Sequence, residues 1–111
     1  MYTTLEHYID GTWSKPTGAK SQDVINPASS KPIGELGRVS KGDLDKALAA
    51  ADRGFKVWRR VSAFERGKLL RKAADLLRTR ADDIATVLTQ EQGKILAEAK
   101  LEVLSGADRR G

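Results

Sequence analysis

The sequence predicts an α+β chain, with short antiparallel strands first and amphipathic helices after. Three observations carry that expectation. All three prolines, Pro16, Pro27 and Pro32, fall within residues 1–39, where short β-prone runs alternate with turn residues. Residues 40–108 hold no proline and repeat Leu, Ala and charge at helical spacing. A chain of 111 residues, 40% hydrophobic and 32% charged, suits one domain at most and resembles neither a bilayer span nor a disordered tail. The change near Ser40 therefore reads as an architectural switch inside one domain.

The strand segment covers 1–39. His7-Tyr8-Ile9 and Thr12-Trp13-Ser14 flank Asp10-Gly11, a pair suited to a type I′ hairpin turn because both central residues need positive φ. A second strand is expected at Gln22-Asp23-Val24-Ile25, stopped by Asn26-Pro27, since proline cannot donate to a ladder. The third, Lys31 to Val39, offers Ile33, Leu36 and Val39 to a core. That spacing departs from a period of two, so a bulge at Gly34 or Gly37 is expected.

The helical segment covers 40–108. Ser40 with Asp43 is a short-armed capping box, followed by an apolar stripe of Leu44, Ala47, Leu48, Ala51, Phe55 and Trp58. Ser62 with Glu65 gives the full Ser-x-x-Glu box of a second helix. Its stripe reads Leu69, Leu70, Ala73, Leu76 and Leu77, then Ile84, Val87 and Leu88, with a break expected near Arg80 because Asp82-Asp83 suit a first turn. Gln92-Gly93 fits a helix end. A last helix is expected from Ile95 to Leu104, with Ser105 to Gly111 as a frayed tail.

Composition narrows the chemistry. Cysteine is absent and His7 is the only histidine, which removes disulfides, a cysteine nucleophile and any multi-histidine metal site. Neither G-x-G-x-x-G nor G-x-x-x-x-G-K-[ST] occurs. Residues 1–9 carry Glu6 and His7 and lack a hydrophobic stretch, so no secretory signal is read there and a cytoplasmic location is expected. The formal charge is +5. Arg59, Arg60, Arg66, Lys68, Arg71, Lys72, Arg78 and Arg80 could face phosphates, yet Glu65, Asp75, Asp82 and Asp83 interrupt them and residues 65–108 hold no aromatic ring for base stacking. A solvated face of mixed sign is the expected reading, with a basic helical nucleic-acid binder as the weaker alternative.

The order of motifs resembles a known family. Tyr8-Ile9-Asp10-Gly11-Thr12-Trp13, Val24-Ile25-Asn26-Pro27-Ala28, Ile33-Gly34-Glu35-Leu36, the run Glu65 to Leu77, and Leu88-Thr89-Gln90-Glu91-Gln92-Gly93-Lys94 with Leu96-Ala97-Glu98-Ala99 resemble the start of aldehyde dehydrogenases. The last string is similar to the NAD(P)-dependent succinate-semialdehyde dehydrogenase branch, with Ile95 where that branch usually has proline.

The resemblance implies that residues 1–111 are a single partial domain, the N-terminal part of an NAD-binding domain whose helices cover a Rossmann sheet. It implies an enzyme that in full length oxidises an aldehyde to a carboxylic acid with NAD or NADP. The family's catalytic cysteine, glutamate and asparagine and its adenosine-binding lysine lie in later segments, so no catalytic or cofactor-binding residue is assigned here. A truncated fragment, inactive and without cofactor when alone, is the expected state. Its apolar faces then pack on one another or stay exposed, so self-association or docking to a full-length homologue is the expected partnership, with no membrane and no specific nucleic acid. The family's structural monovalent cation would, by position, use the carbonyls of Val24 and Ile25 and the side chain of Glu91. Glu91 solvating a helix end is the plain alternative.

Overall fold

Chain direction first reverses at Asp10-Gly11, where both residues hold positive φ, 52° and 80°. That is the type I′ requirement. It joins β1 (His7–Ile9) to β2 (Thr12–Ser14) with Ile9 opposite Thr12, Tyr8 opposite Trp13 and His7 opposite Ser14. The Tyr8 and Trp13 rings meet with centroids 5.0 Å apart, a cross-strand pair of the kind that stabilises short hairpins. The computed structural model describes residues 2 and 4–109.

A second two-stranded hairpin pairs β3 (Ser21–Asn26) with β4 (Lys31–Gly37). Its turn is held by Asn26, whose side-chain oxygen accepts from the Ala28 amide at 2.9 Å while its carbonyl accepts from Ser30 at 2.8 Å. Both strands run slightly past or short of their expected ends. The half-buried positions of β4 are Ile33, Gly34 and Gly37, whereas Leu36 and Val39, which the sequence offered to a core, are exposed.

Four helices follow: α1 (Lys41–Trp58), α2 (Ala63–Thr79), α3 (Ala81–Gln92) and α4 (Leu96–Asp108). The two capping boxes exchange their expected qualities. Ser40 accepts from the Asp43 amide at 3.1 Å and Asp43 accepts from the Ser40 amide at 2.9 Å, a complete reciprocal box despite the shorter arm. Ser62 accepts from the Glu65 amide at 3.2 Å, but the Glu65 carboxylate turns to Lys68 instead. The break at Arg80 is present, and α3 stops where Gly93 takes φ 73°.

The last helix corrects the sequence expectation. It continues through Asp108, and Ser105 to Asp108 are helical. Ala107 is fully buried, and Arg78 ties Asp108 and Asp75 at 3.0 Å each. The hydrogen bond that Arg78 donates to Asp108 is the first cause of its raised pKa. Arg110 and Gly111, also assigned to a frayed tail, lie outside the described residues.

Contacts gather into two compact units, the first up to Ile25 with Lys31–Arg60 and the second Asn26–Ser30 with Val61 onward. In the second unit the core consists of Ala81, Ala85, Ala99 and Val103, with Ile84, Leu88 and Leu104 packed against it. The expected leucine stripe is therefore only half right. Leu69 and Leu76 on α2 stay exposed (54% and 44%), while α3 and α4 approach each other through alanines. Lys100–Asp82 at 2.7 Å and the Lys94–Glu102 pair add links along the same unit. In the first unit α1 packs against β1. Its apolar stripe forms as read but is uncovered, and Asp43 is the only α1 residue that is buried.

Candidate functional site

The most organised polar constellation lies in the first unit, at the start of α1. A cleft of about 420 Å³ is lined by residues including His7, Ile9, Lys15, Asp43, Lys46 and Arg53. Asp43 anchors it. One carboxylate oxygen accepts from the Thr17 amide (2.7 Å), the Thr17 hydroxyl (2.8 Å) and the Ser40 amide (2.9 Å). These bonds, first from Ser40 and then from Thr17, hold its carboxyl far below the ordinary range, against the opposing effect of burial. A carboxylate so committed is a strut and not a proton acceptor. The cap was readable in the sequence. The tie to Thr17, across a separation of 26 residues, was not.

A depressed pKa fixes the sign of a pH effect. Asp43 stabilises the fold in full above the ordinary carboxylate value near pH ~4. That contribution fades as pH falls from there through the lower native value. Asp43→Asn keeps the shape and removes the charge, so the gap in urea midpoint between native chain and variant is expected to shrink as the solution is acidified. A gap independent of pH would contradict the assignment.

His7 and Ser14 could suggest a nucleophilic pair, since Nε2 lies 2.9 Å from the hydroxyl. The third member of a triad is missing: Nδ1 is buried with no hydrogen-bond partner, so no carboxylate orients the ring. Arg53 is paired with Asp10 at 2.9 Å. In this cleft Asp43 and Arg53 are thus both engaged in structural contacts.

The cation-site residues are placed as follows. Val24 is half-buried and Ile25 exposed on β3, in the first unit, while Glu91 is exposed in the last turn of α3, in the second. Among the described residues no three His, Asp or Glu side chains gather in a metal-holding group. The end of α3 is closed by the Gly93 amide on the Thr89 carbonyl at 2.8 Å. Dinucleotide sites use the crevice at the carboxyl ends of parallel strands. Both sheets among the described residues are two-stranded hairpins, so these residues do not fit such a cofactor. No helix among them is long and apolar enough to cross a membrane. Of the basic stripe, Lys68 and Arg78 are held by Glu65, Asp75 and Asp108, and Arg59 lies over the Phe55 ring at 5.5 Å.

Comparison with known proteins decides the family. The model of the aldehyde dehydrogenase family matches residues 13–109. The chain belongs to the aldehyde dehydrogenase family. Solved structures agree. An NAD-dependent benzaldehyde dehydrogenase from Corynebacterium glutamicum has a TM-score of 0.90 at 28% identity, covering 96% of this chain and 23% of that one. An NADP-dependent enzyme from E. coli has a TM-score of 0.89 at 34% identity, covering 96% and 22%. A succinate-semialdehyde dehydrogenase from Burkholderia pseudomallei has a TM-score of 0.85 at 35% identity, covering 93% and 21%. The chain thus spans under a quarter of the length of each of these three structures. Its α+β arrangement of hairpins and helices is the N-terminal part of the family's domain. The string Leu88 to Ala99 falls on the end of α3, the Gly93 stop and the first turn of α4. Within it Lys94 is tied to Glu102, the first cause of its raised pKa.

Proposed function

We propose that this chain is the N-terminal portion of a cytoplasmic NAD(P)-dependent dehydrogenase that oxidises succinate semialdehyde, and that it performs no chemistry alone. The observation that carries the reading is the run Leu88-Thr89-Gln90-Glu91-Gln92-Gly93-Lys94 with Leu96-Ala97-Glu98-Ala99, similar to the succinate-semialdehyde branch. The 35% identity to the Burkholderia enzyme supports it. Inactivity follows from inventory: thiol attack on an aldehyde needs a cysteine, and the sequence has none. Hydride transfer needs a nicotinamide held against the reacting carbon, and the residues described here form no such crevice. What this portion does supply is a scaffold, with α3 and α4 set by the alanine core and α1 set by Asp43. In the same reading Val24, Ile25 and Glu91 contribute to a structural monovalent cation site, for which oxygen donors suit a hard ion.

The test is to express the chain with the coding sequence that follows it and assay the product against an aldehyde panel with NAD and NADP. Succinate semialdehyde is expected to give the highest kcat/KM. A product that prefers benzaldehyde or betaine aldehyde, or a continuation encoding no dehydrogenase remainder, contradicts the proposal.

A further inference from the structure

We propose that the cleft between the β1–β2 hairpin and α1 binds the phosphate group of a small phosphomonoester, with Lys15, Lys46 and Ser14 as its donors. Charge carries the argument. Three cations, Lys15, Lys46 and Arg53, and two carboxylates, Asp10 and Asp43, line this cleft. Arg53 and Asp10 neutralise each other at 2.9 Å. Asp43 is satisfied by the Thr17 amide and hydroxyl and the Ser40 amide, whose dipoles offset its charge. Lys15 and Lys46 are left over: neither has a hydrogen bond or an ion pair with any described residue. Two uncompensated ammonium groups on one concave surface attract an anion.

The two lysines come from different walls that are tied together at both ends. Lys46, Ala49 and Arg53 recur along one side of α1, and all three line the cleft. Lys15 follows directly on β2, which ends at Ser14. Thr17 bonds to Asp43 in the first turn of α1, and Arg53 further along α1 holds Asp10 in the hairpin turn. The hydroxyl of Ser14 lies between these ties, 2.9 Å from Nε2 of His7. Nδ1 of that ring is buried with no acceptor for a proton, which places the ring proton on Nε2. Ser14 Oγ then accepts from Nε2–H, and its own proton is free to be donated into the cleft.

The class of anion follows from that donor set. A phosphomonoester carries a charge of about −1.5 to −2 at neutral pH and three strong acceptor oxygens. Two lysines and one hydroxyl match both the charge and the number of oxygens. The volume of about 420 Å³ falls within the range of roughly 300–1,000 Å³ typical of small-molecule sites and leaves room for a carbon skeleton. Ile9 and Ala49 supply apolar lining for that part. The proposal goes beyond the dehydrogenase reading and does not depend on the choice of aldehyde.

The test is a titration of the isotope-labelled 111-residue chain with glycerol 3-phosphate at low salt, read by backbone amide shifts. Inorganic phosphate and succinate are titrated in parallel. Saturable shifts are expected at residues 14–17 and 46–53, with the ester binding about fivefold or more tighter than succinate or inorganic phosphate. Lys15→Gln and Lys46→Gln are each expected to raise the Kd for the ester about fivefold, the upper end for an exposed charge pair. Lys72→Gln removes the same charge from α2, outside the cleft, and is expected to leave the Kd within about twofold. Circular dichroism of all three variants is expected to match the native chain, because exposed substitutions of this kind shift stability by only about 0.5 kcal/mol. Shifts spread over the whole chain, or an equal loss of binding in Lys72→Gln, would mean attraction to net charge alone and overturn the proposal. So would equal affinity for succinate, equal affinity for inorganic phosphate, or no saturable response. A native chain without the amide dispersion of a folded protein would overturn it as well, since the cleft would not form. No aldehyde and no turnover enter these readings, so this site and the dehydrogenase reading can fail separately.

Discussion

Ala85→Leu is expected to lower the urea midpoint of the second unit sharply, while Leu69→Ala leaves it nearly unchanged. The contrast inverts what side-chain size suggests. Ala85 and Ala99 have no exposed surface and sit where α3 meets α4, whereas Leu69 is 54% exposed. Forcing an isobutyl group between two helices in contact drives off-rotamer packing or separates the helices, at a cost of about 1–3 kcal/mol. Small units hold roughly 0.05–0.15 kcal/mol of stability per residue, so that cost is a large fraction of the whole. Removing an exposed leucine falls within about 0.5 kcal/mol. Far-UV circular dichroism in a urea titration reads both. Equal midpoints for the native chain and Ala85→Leu would show that α3 and α4 do not pack through alanines.

That contrast also shows what the sequence made legible. Backbone punctuation was readable because its chemistry is local. Asp10-Gly11 turns with two positive φ angles, Ser40 and Ser62 cap helices, and Gly93 closes α3 in a left-handed conformation. Burial was less readable. Hydrophobic periodicity weights leucine above alanine, whereas in this chain alanines are the most deeply buried apolar residues. Thus Leu48 and Phe55 are exposed, and the core passes to Ala81, Ala85 and Ala99. The end of α4 differs from the sequence expectation because of tertiary contacts. Ser105-Gly106 reads as a poor helix continuation, but Ala107 is buried and Asp108 is bound by Arg78, and these tertiary contacts override local propensity. The Thr17–Asp43 tie had no signal in the sequence, since neither residue type announces a partner so distant along the chain.

The candidate site divides in the same way. What the sequence states with most force about chemistry is an inventory: no cysteine and one histidine. The structure adds that the one histidine contacts Ser14 without a carboxylate behind it and that Asp43 spends its carboxylate on amide and hydroxyl donors. Val24, Ile25 and Glu91 were selected by position in a family pattern, a kind of signal that no local geometry of β3 or α3 reproduces.

The largest expected effect is therefore an absence of turnover. A family member draws on a thiol, a base and a bound nicotinamide, and loss of a single such group ordinarily costs several orders of magnitude in rate. Here the thiol is missing outright, and no parallel sheet is present among the described residues to carry the cofactor. In the cleft, Asp43 is engaged by Thr17 and Ser40, and Arg53 by Asp10. The measurement that reaches this most directly is NADH or NADPH absorbance over time, with the purified 111-residue chain, either cofactor and saturating succinate semialdehyde, beside a full-length dehydrogenase as control. A trace indistinguishable from buffer is expected. Reduced cofactor forming at a rate proportional to the concentration of the chain and saturating with aldehyde would contradict the central claim.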